Sequence, residues 1–530
     1  MTTAALTLDQ DIWRPRYNPW LIAVVVALAA FMEVLDTSIA NVALPYMAGN
    51  LGASNDQSTW VLTSYLVSNA IVLPMTGWLA GALGRKRFFM SCLAVFTVSS
   101  LLCGFAPSLS FLLLFRVLQG AGGGGLQPMA QAILADTFPP EKRGLAFAAY
   151  GITAIMAPTI GPTLGGWITF NYSWRWIFFI NIPVGVIAWL LVRRFVEDPP
   201  YLRRLKSAGV KLDYVGIALL VVGVGALQIL LDKGQEDDWF GSHFITTLVV
   251  LSAVCLVSLI VWEWFEKAPI IDVRMFRNFN FASASLMLFM LGILLFSSLV
   301  LMPQFLQTLL GYTSELAGLA LSAGGIVLLI ETPITGQLTT KVQARRIIAF
   351  GWLALSLAMF YSTRRIDLQM SFSAATWLRI AQVVGLGFLF VPITLVAYVG
   401  VPAEKNNSVA GIANFMRNMG SSVGTSLVTT VIARRSQFHQ LRLVEKTRID
   451  NPNFANAATG MAQRFVKAGL GRHEALGTSY ARIYESLLRQ AGTLAYIDTF
   501  MVLSVAAAIM FFLSFLLRKN DPGGGVHVAE

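Results

Sequence analysis

Long apolar runs recur along the whole chain and restrict what it can fold into. Each run is about 20 residues long, which is the length an α-helix needs to cross about 30 Å of hydrocarbon. Such runs must be helical in a bilayer, because lipid offers no hydrogen bonds to backbone groups. The chain is 56% hydrophobic and only 13% charged, whereas soluble proteins carry about a quarter of charged residues. The sequence therefore predicts an all-α integral membrane protein embedded in a lipid bilayer.

Fourteen transmembrane helices are predicted from these runs. The predicted spans cover residues 18–41, 59–80, 87–105, 109–135, 143–169, 174–195, 213–231, 242–264, 280–303, 313–338, 345–363, 370–400, 406–433 and 494–517. An even number of spans places both termini on the same side of the membrane. The run from Trp20 to Ala40 is too long for the core of a signal peptide, so it is expected to remain as span one.

Lysine and arginine are concentrated in short loops on one predicted side of the bundle. These residues are Arg85, Lys86, Arg87, Lys142, Arg143, Arg193, Arg194, Arg203, Arg204, Lys206, Lys211, Lys341, Arg345, Arg346 and Lys405. Basic loops stay in the cytoplasm, so both termini are predicted to be cytoplasmic, in a multi-pass protein of the inner (plasma) membrane. The same rule accounts for the net charge of +11. The basic composition therefore does not indicate that the chain binds nucleic acid.

An internal repeat divides the chain into two parts. The segment PMTGWL at 74–79 recurs as PITGQL at 333–338, an offset of 259 residues, and RVLQ at 116–119 recurs as RIAQ at 379–382, an offset of 263 residues. In transporters built from such repeats, the substrate site lies between the halves near the middle of the membrane. The predicted division is a cytoplasmic tail at 1–17, a six-helix bundle at 18–195, a cytoplasmic loop with inserted spans 7 and 8 at 196–279, a six-helix bundle at 280–517 that includes an external segment at 434–493, and a cytoplasmic tail at 518–530.

Charged residues inside predicted spans are candidate functional residues, because a charge within a membrane is costly. Glu33 and Asp36 are three residues apart and share one face of span one. Arg116 enters span four at a similar depth, given a rise of about 1.5 Å per residue. A carboxylate that alternately faces and loses such an arginine can release and bind a proton. We predict Asp36 as the main proton carrier, assisted by Glu33 and controlled by Arg116; a permanent structural ion pair is the alternative.

The second bundle supplies further buried charges. Glu331 and Arg417 are expected to pair and lock that bundle, and Arg379 matches Arg116 in the repeat without a carboxylate in span nine to face it. Together with Gln119, these residues could instead contact substrate. A mainly apolar pocket suits amphipathic ligands, although each apolar candidate is as well explained by core or lipid contact. The candidates for that pocket are Phe31, Met32, Trp60, Tyr65, Phe388 and Phe390.

Glycine and proline interrupt span five at Gly161, Pro162, Gly165 and Gly166. Proline removes a helix hydrogen bond and glycine removes side-chain bulk. Two explanations remain equal: close helix packing, or a bend that keeps the closed state from leaking.

Motifs for other chemistries are not found in the sequence. It has no phosphate-binding loop, no zinc-protease motif and no nucleophile elbow, and His439 and His473 are too scattered for a metal site. A membrane-embedded enzyme would need a clustered catalytic set. The sequence therefore predicts no catalytic residues, no metal and no cofactor, so that transport would be driven by a proton gradient.

Four segments resemble signatures of the major facilitator superfamily. In chain order they are LDTSIANVALP at 35–45, GWLAGALGRK at 77–86, RVLQGAGG at 116–123 and GPTLGG at 161–166. The resemblance implies the major facilitator fold of a fourteen-span drug:proton antiporter, with Gly77, Gly84, Arg85 and Lys86 in its gating motif. Where the family usually carries an acidic residue this chain has Gly81, which leaves the charge relay around Arg85 incomplete.

Two more segments resemble the inner-membrane subunits of tripartite efflux systems, namely WRWIFFINIPVG at 174–185 and the long external segment 434–493. This resemblance implies export of small amphipathic toxic compounds, with a periplasmic adaptor protein and an outer-membrane channel as partners. From its residues alone, 434–493 is one or two amphipathic helices that could be a solvated cap. The alternative function is export of fatty acids, bile salts or other anionic lipophiles by the same fold.

Overall fold

The computed structural model describes residues 15–199, 213–448 and 450–518, and within these ranges the chain is helical without a β-strand. The helices are α1 (Pro19–Leu51), α2 (Asn55–Leu83), α3 (Arg85–Gly104), α4 (Leu109–Gly123), α5 (Leu126–Thr137), α6 (Arg143–Asn171), α7 (Trp176–Phe179), α8 (Asn181–Phe195), α9 (Tyr214–Lys233), α10 (His243–Phe265), α11 (Phe279–Thr308), α12 (Ser314–Leu338), α13 (Ala344–Arg365), α14 (Phe372–Ala397), α15 (Asn406–Val444), α16 (Pro452–Lys467) and α17 (Arg472–Ser514). Most of both predicted tails, and the basic loop residues Arg203, Arg204, Lys206 and Lys211, lie outside the described residues.

Thirteen helical stretches are long and apolar enough to cross a membrane. Two of them combine consecutive helices, α4 with α5 and α7 with α8. The remaining predicted span, 406–433, lies in α15, whose 39 residues are long enough but too polar to be recognised by hydropathy. Because α15 buries its polar residues, Asn407, Asn414 and Arg417 among them, its polarity faces other helices rather than lipid.

Capping residues determine where some helices begin and end, which the apolar composition of the spans does not specify. Ser54 and Gln57 form a reciprocal capping box at the start of α2. At the end of α1, Gly52 adopts a left-handed conformation with φ 64°, which glycine tolerates best. As a result α1 continues about ten residues beyond its predicted end, from 41 to Leu51.

Two helix bundles follow the internal repeat. We call α1–α8 the first half, and α11–α15 with α17 the second half. Within the first half α1 packs on α6, and α4 packs on α2 and α3; within the second half α11 packs on α15, and α14 packs on α12 and α13. The halves meet along two seams, α2 against α15 (the first seam) and α6 against α12 (the second seam).

The repeated glycine serves both seams in the same way. A Cβ added at Gly77 would lie 2.4 Å from Ser408 Oγ across the first seam, and one added at Gly336 would lie 2.8 Å from Ala148 Cβ across the second. Such distances leave no room for a side chain, so glycine at these positions permits the close approach of two helices. The repeat noticed in the sequence is therefore a repeat of the contacts between the halves.

The halves contact each other near the end of the bundle that carries Arg85, Lys86 and Lys405, which we call the basic end. The rings of Phe147 and Tyr398 stack across the seam with centroids 5.5 Å apart. These contacts use the end of α2 and α14 and the start of α6 and α15. The described structure is thus closed at its basic end.

The inserted helices α9 and α10 sit against only one of the two seams. Helix α9 packs on both α2 and α15. Gln228 Nε2 donates to Ser422 Oγ of α15 at 2.9 Å, while Asp232 and Lys233 hydrogen-bond to Thr63 and Thr59 of α2. Helix α10 packs behind α9 and exposes a valine-rich surface, as a lipid-facing helix does. Within the described ranges, no inserted helix covers the second seam.

The long helix α17 extends beyond the opposite end of the bundle. Its 43 residues correspond to about 65 Å at 1.5 Å per residue, twice the hydrocarbon thickness. Helix α16 packs beside its first part, where Phe454 and Tyr480 stack with ring centroids 5.9 Å apart. The segment predicted to lie outside the membrane is therefore an ordered helical projection.

Candidate functional site

Glu33 and Asp36 lie inside the first half, on the face of α1 that packs against the helices of that bundle. The two residues are only 3% and 2% exposed. Burial of a carboxylate is tolerated when hydrogen-bond donors surround it. The donors that each one finds are different, and this difference decides what the two residues can do.

Asp36 is held by a cation and two amides. Arg116 Nη1 of α4 donates to Asp36 Oδ2 at 2.6 Å. Gln119 Nε2 and Asn181 Nδ2 both donate to Oδ1, at 2.9 and 2.6 Å. The structure thus brings Asp36 and Arg116 together as the sequence predicted, and it adds Gln119 and Asn181 as partners. Three donors, one of them a cation, thus satisfy this buried carboxylate.

Arg116 is fixed from several directions. Its Nε donates to the backbone oxygen of Val61 at 3.0 Å, and its Nη1 also donates to Gln119 Oε1 at 2.8 Å. The guanidinium lies 4.3 Å from the centroid of the Tyr65 ring, within the range of a cation–π interaction. Arg116 therefore ties α1, α2 and α4 into one unit.

Glu33 is held by neutral donors only. Tyr65 Oη and Asn69 Nδ2 of α2 donate to Glu33 Oε1 at 3.0 and 3.1 Å, and Gln127 Nε2 of α5 donates to Oε2. Tyr65 connects the two acids, because its hydroxyl binds Glu33 while its ring lies under Arg116. A carboxyl group among neutral donors can accept a proton without leaving a buried cation unpaired.

The network continues from Glu33 into the second half. Gln127 Oε1 accepts hydrogen bonds from Tyr150 Oη at 3.1 Å and from Arg417 Nη2 of α15. A second bond crosses beside it, from Asn414 Nδ2 to Gln131 Oε1 at 2.8 Å. One side chain, Gln127, therefore contacts a buried acid of the first half and a buried cation of the second.

The expected pairing of Glu331 with Arg417 is wrong. Arg417 points across the seam to Gln127. Glu331 lies against Gly387 of α14, where a Cβ would be 2.3 Å from its Oε2, and neither carboxylate oxygen has a hydrogen-bond partner. Both side chains are buried, but their helices direct them toward different neighbours.

The structure places only some of the aromatic candidates for the pocket at the seam between the halves. Phe390 stacks on Tyr150 with centroids 6.3 Å apart and lies 5.5 Å from the Arg417 guanidinium, so it belongs to the seam. Phe388 instead packs on the half-exposed Phe350 of α13, away from the seam. Phe31 packs on the apolar cluster around Leu35 within the first half.

Space at the closed seam is small. The gap lined by Gln131, Phe390, Asn414 and Arg417 does not admit even a water molecule, whereas pockets for drug-sized ligands have about 300–1,000 Å³. A drug-sized molecule therefore cannot occupy this part of the seam while the basic end is closed.

The glycines of span five pack α6 onto the helix that carries both acids. A Cβ at Gly161 would lie 2.4 Å from Ser38 Oγ, and one at Gly165 would lie 2.9 Å from Ile39 Cγ2. Gly166 is less constrained, with Val42 Cγ1 at 3.9 Å. Helix α6 remains continuous through Pro162. Close packing is thus sufficient to explain Gly161 and Gly165.

Arg85 finds its acid in another helix. It pairs with Asp136 at the end of α5, and its Nε donates to Asn407 Oδ1 of α15 at 2.7 Å. Asn406 Nδ2 donates to Asp136 Oδ1 at 2.5 Å. A Cβ added at Gly81 would meet nothing within 4 Å. The acid missing from position 81 is therefore replaced, at the closed basic end, by Asp136.

Neighbouring residues of the same motif have a different role. Gly84 has φ 88°, a conformation that favours glycine, and separates α2 from α3. Lys86 is exposed at its tip, where Nζ donates to the backbone oxygen of Arg193 at 2.7 Å.

We predict that Arg85→Ala destabilises the chain by about 3–5 kcal/mol, because it breaks a buried ion pair. Lys86→Ala, one residue away, removes an exposed hydrogen bond and should change stability by roughly 0.5 kcal/mol or less. Thermal unfolding of both purified variants in the same detergent checks this difference. Equal melting temperatures would contradict the role assigned to Arg85.

Known proteins match both the sequence and the fold. The sequence profile of the Major Facilitator Superfamily matches residues 26–425. The chain is 37% identical over 508 residues to "Multidrug export protein EmrB" of Escherichia coli (strain K12), which covers 96% of this chain and 98% of that protein. It is 37% identical over 504 residues to "Fatty acid resistance protein FarB" of Neisseria gonorrhoeae, covering 94% of this chain and 96% of that protein.

The solved proton:xylose symporter XylE superposes with a TM-score of 0.59 at 13% identity, over 94% of this chain and 96% of that one. At this identity the likeness concerns the fold alone, and it agrees with two helical bundles that meet along paired seams. The resemblance expected from the four signatures is confirmed: this multi-pass membrane chain belongs to the major facilitator superfamily, where it is similar to the EmrB drug transporters along nearly its whole length.

Proposed function

We propose that the chain is a multidrug efflux transporter that exports amphipathic or lipophilic toxic compounds across the inner membrane in exchange for protons. The observation that carries the proposal is the continuous network from Asp36 and Glu33 through Gln127 to Arg417, because it connects two buried carboxylates to the seam that must open and close. The basic end and both termini would face the cytoplasm, so the structure described above would be closed toward the cytoplasm.

Proton exchange would act through Glu33 and Asp36. In the outward state, a proton from outside would neutralise Glu33 and weaken its bond with Gln127. Gln127 would then no longer be oriented with its Oε1 on Arg417, so the basic-end seam would loosen. Asp36 would exchange its proton when α1 shifts against α4 within the first half and its bond with Arg116 opens. After the basic end opens, proton release to the cytoplasm would restore the carboxylates and cargo would bind between the halves.

The type of cargo is supported by the relatives. EmrB is named for multidrug export, which favours a broad range of amphipathic compounds. FarB is named for fatty acid resistance, which favours the alternative cargo, anionic lipophiles such as fatty acids or bile salts. Resistance to antibiotics would follow from export of the first class. The chemistry is movement of a molecule, so no catalytic residue is assigned.

Partners would bind outside the membrane. The projection formed by α16 and the first part of α17 extends beyond the bundle on the side opposite the basic end. We expect this projection to dock a periplasmic adaptor protein, which would connect the transporter to an outer-membrane channel. Small-molecule cargo could then leave the cell without entering the periplasm.

Proton movement in sealed vesicles tests the proposed exchange. The purified chain is reconstituted with a pH-sensitive dye, and lipophilic cations, weak acids and fatty acids are added one at a time. We expect at least one class to move protons with the intact chain, and Glu33→Gln to abolish that signal because its amide cannot bind a proton. Gln440→Glu, at a half-buried position outside the network, serves as a control that should behave as wild type. Proton movement by Glu33→Gln at the wild-type rate would refute the assignment.

A further inference from the structure

A buried acid of the second half stands where the first half has a valine. By the two offsets of the internal repeat, 259 and 263 residues, Val72 corresponds to Glu331 and Gly124 corresponds to Gly387. The contact between them is repeated as well. A Cβ added at Gly124 would lie 2.9 Å from Val72 Cβ, and one added at Gly387 would lie 2.8 Å from Glu331 Cγ. Because a valine is sufficient to pack against the glycine, packing does not explain the carboxylate.

The carboxylate of Glu331 is enclosed without a donor. The residue is 7% exposed. Among the described residues, neither of its oxygens has a hydrogen-bond partner, and no ion pair includes it. The nearby Ile330 and Ile334 are 62% and 53% exposed on the outer surface of α12, where a membrane helix meets lipid. An ionised carboxylate at this place would lose its hydration without gaining a partner, which is strongly unfavourable.

Charged and titratable groups on the helices packed against α12 do not compensate for this cost. On α6, Tyr150 donates its hydroxyl to Gln127, and Arg143 is the first residue of the helix. On α14 the charged residue is Arg379, which donates to a serine of α11. Arg379 lies beside Gly324 of α12, seven residues and therefore about 10 Å from the acid. Helix α11 contains no charged residue.

The acid lies directly behind the second seam. Its neighbour Thr332 reaches α6, where a Cβ added at Gly151 would lie 3.3 Å from Thr332 Cγ2 and 3.3 Å from Phe390 Cδ1. Phe390 is one helical turn from Gly387, the residue that Glu331 contacts. Separation of α6 from α12 would therefore remove the layer between the carboxyl group and the water at the basic end. Once hydrated, a carboxyl group can ionise.

We propose that Glu331 is a proton-binding site that controls the second seam: its carboxyl group holds a proton while the seam is closed and exchanges it with water at the basic end when the seam opens. A proton that binds one state more tightly shifts the chain toward that state, so alkaline conditions at the basic end favour the open seam. This site goes beyond the exchange proposed for Glu33 and has the opposite effect. A proton on Glu33 loosens the basic end, whereas a proton on Glu331 closes it.

Three substitutions separate the proton from the packing. Glu331→Val restores the residue of the first half, and Glu331→Gln keeps the shape of the side chain; both are permanently uncharged. Glu331→Asp keeps an ionisable group and is the conservative control. Since the closed state needs no charge at this position, Glu331→Val should melt at the same temperature as the wild type or higher. A lower melting temperature of both uncharged variants would show that the acid is structural and overturn the proposal.

Thiol labelling measures how the variants open. Each protein carries Ser408→Cys in the first seam as a reporter, because the halves cannot separate at the basic end without opening both seams. Labelling in detergent is quantified by mass spectrometry of that peptide, and proteins are compared at one pH at a time, so that the effect of pH on the thiol cancels.

We expect the wild type and Glu331→Asp to be labelled at least about tenfold faster than both uncharged variants at alkaline pH, because an ionised carboxylate resists burial. At acidic pH all four proteins should be labelled alike. Equal labelling of the wild type and Glu331→Gln at alkaline pH would refute the control of the seam by Glu331.

Infrared difference spectroscopy observes the proton itself. A protonated carboxyl group has a carbonyl band at higher frequency than a carboxylate or an amide. Subtraction of the Glu331→Gln spectrum from that of the wild type at acidic pH, where the seam is closed, should leave this band; its absence would contradict the proposal. Neither measurement requires transport. If wild-type vesicles move no compound, the export function is in error, while labelling and infrared spectra still decide the role of Glu331.

Discussion

Asp36→Asn should abolish export and also destabilise the chain. Asp36 is the counter-ion of Arg116, which is 0% exposed. Neutralising the acid leaves this cation buried and unpaired, for which we expect a loss of about 3–5 kcal/mol. The loss of stability complicates any transport measurement on the single variant, so a second variant is needed to separate proton transfer from folding.

The double variant Asp36→Asn, Arg116→Gln removes both charges and keeps groups that can hydrogen-bond. Replacing both members of a buried ion pair by neutral groups costs much less than breaking it, so most of the lost melting temperature should return. Export should not return, because position 36 can no longer carry a proton. Recovery of proton-coupled export in the double variant would show that the pair is only structural.

Gly77→Val should stop transport while the chain remains folded. The new Cβ would lie 2.8 Å from the Cα of Ser408, which is backbone and cannot rotate away. Overpacking of this kind typically costs about 1–3 kcal/mol, and the penalty falls only on the state in which α2 and α15 touch. The variant should therefore populate states that are open at the basic end.

Gly81→Val is the matched control for that prediction. It lies one helical turn further along α2, within the same motif, and has nothing within 4 Å of an added Cβ. Its transport should match that of the wild type. A cysteine introduced at the seam, for example Ser408→Cys, reports the state directly: thiol reagents added from the basic side should label it faster in Gly77→Val than in Gly81→Val. Equal labelling would contradict the closed-seam assignment.

Some of this site follows from the sequence, because helix geometry fixes depth. A constant rise per residue placed Asp36 and Arg116 at the same level, and the structure pairs them. Depth does not fix direction, however. Glu331 and Arg417 were expected to pair within the second half, yet Arg417 faces the first half and Glu331 faces α14. Rotation of a helix about its axis depends on packing that one sequence does not show.

Neutral polar residues were the larger omission. Asn69, Gln127 and Asn181 hold the two acids. A search for charged residues within the spans does not find them. A signal was present, since an amide within an apolar span needs a partner as much as a charge does. Polar residues also lower the mean hydropathy of α15, so this helix is not recognised as a membrane span by hydropathy. Asp136 could not be assigned to Arg85 from the motif alone, because the two are 51 residues apart and meet only in the folded bundle.

The position of α9 makes the two flanks of the transporter unequal toward the bilayer. Lipophilic compounds partition into membranes before they meet a protein, so they approach sideways, through lipid, as well as from water. On the α2–α15 flank they meet a helix bonded to both halves by Gln228 and Lys233. On the α6–α12 flank they meet a seam of two helices. A molecule diffusing within the membrane can therefore reach a seam between the halves directly on one flank only, because α9 lies in its way on the other.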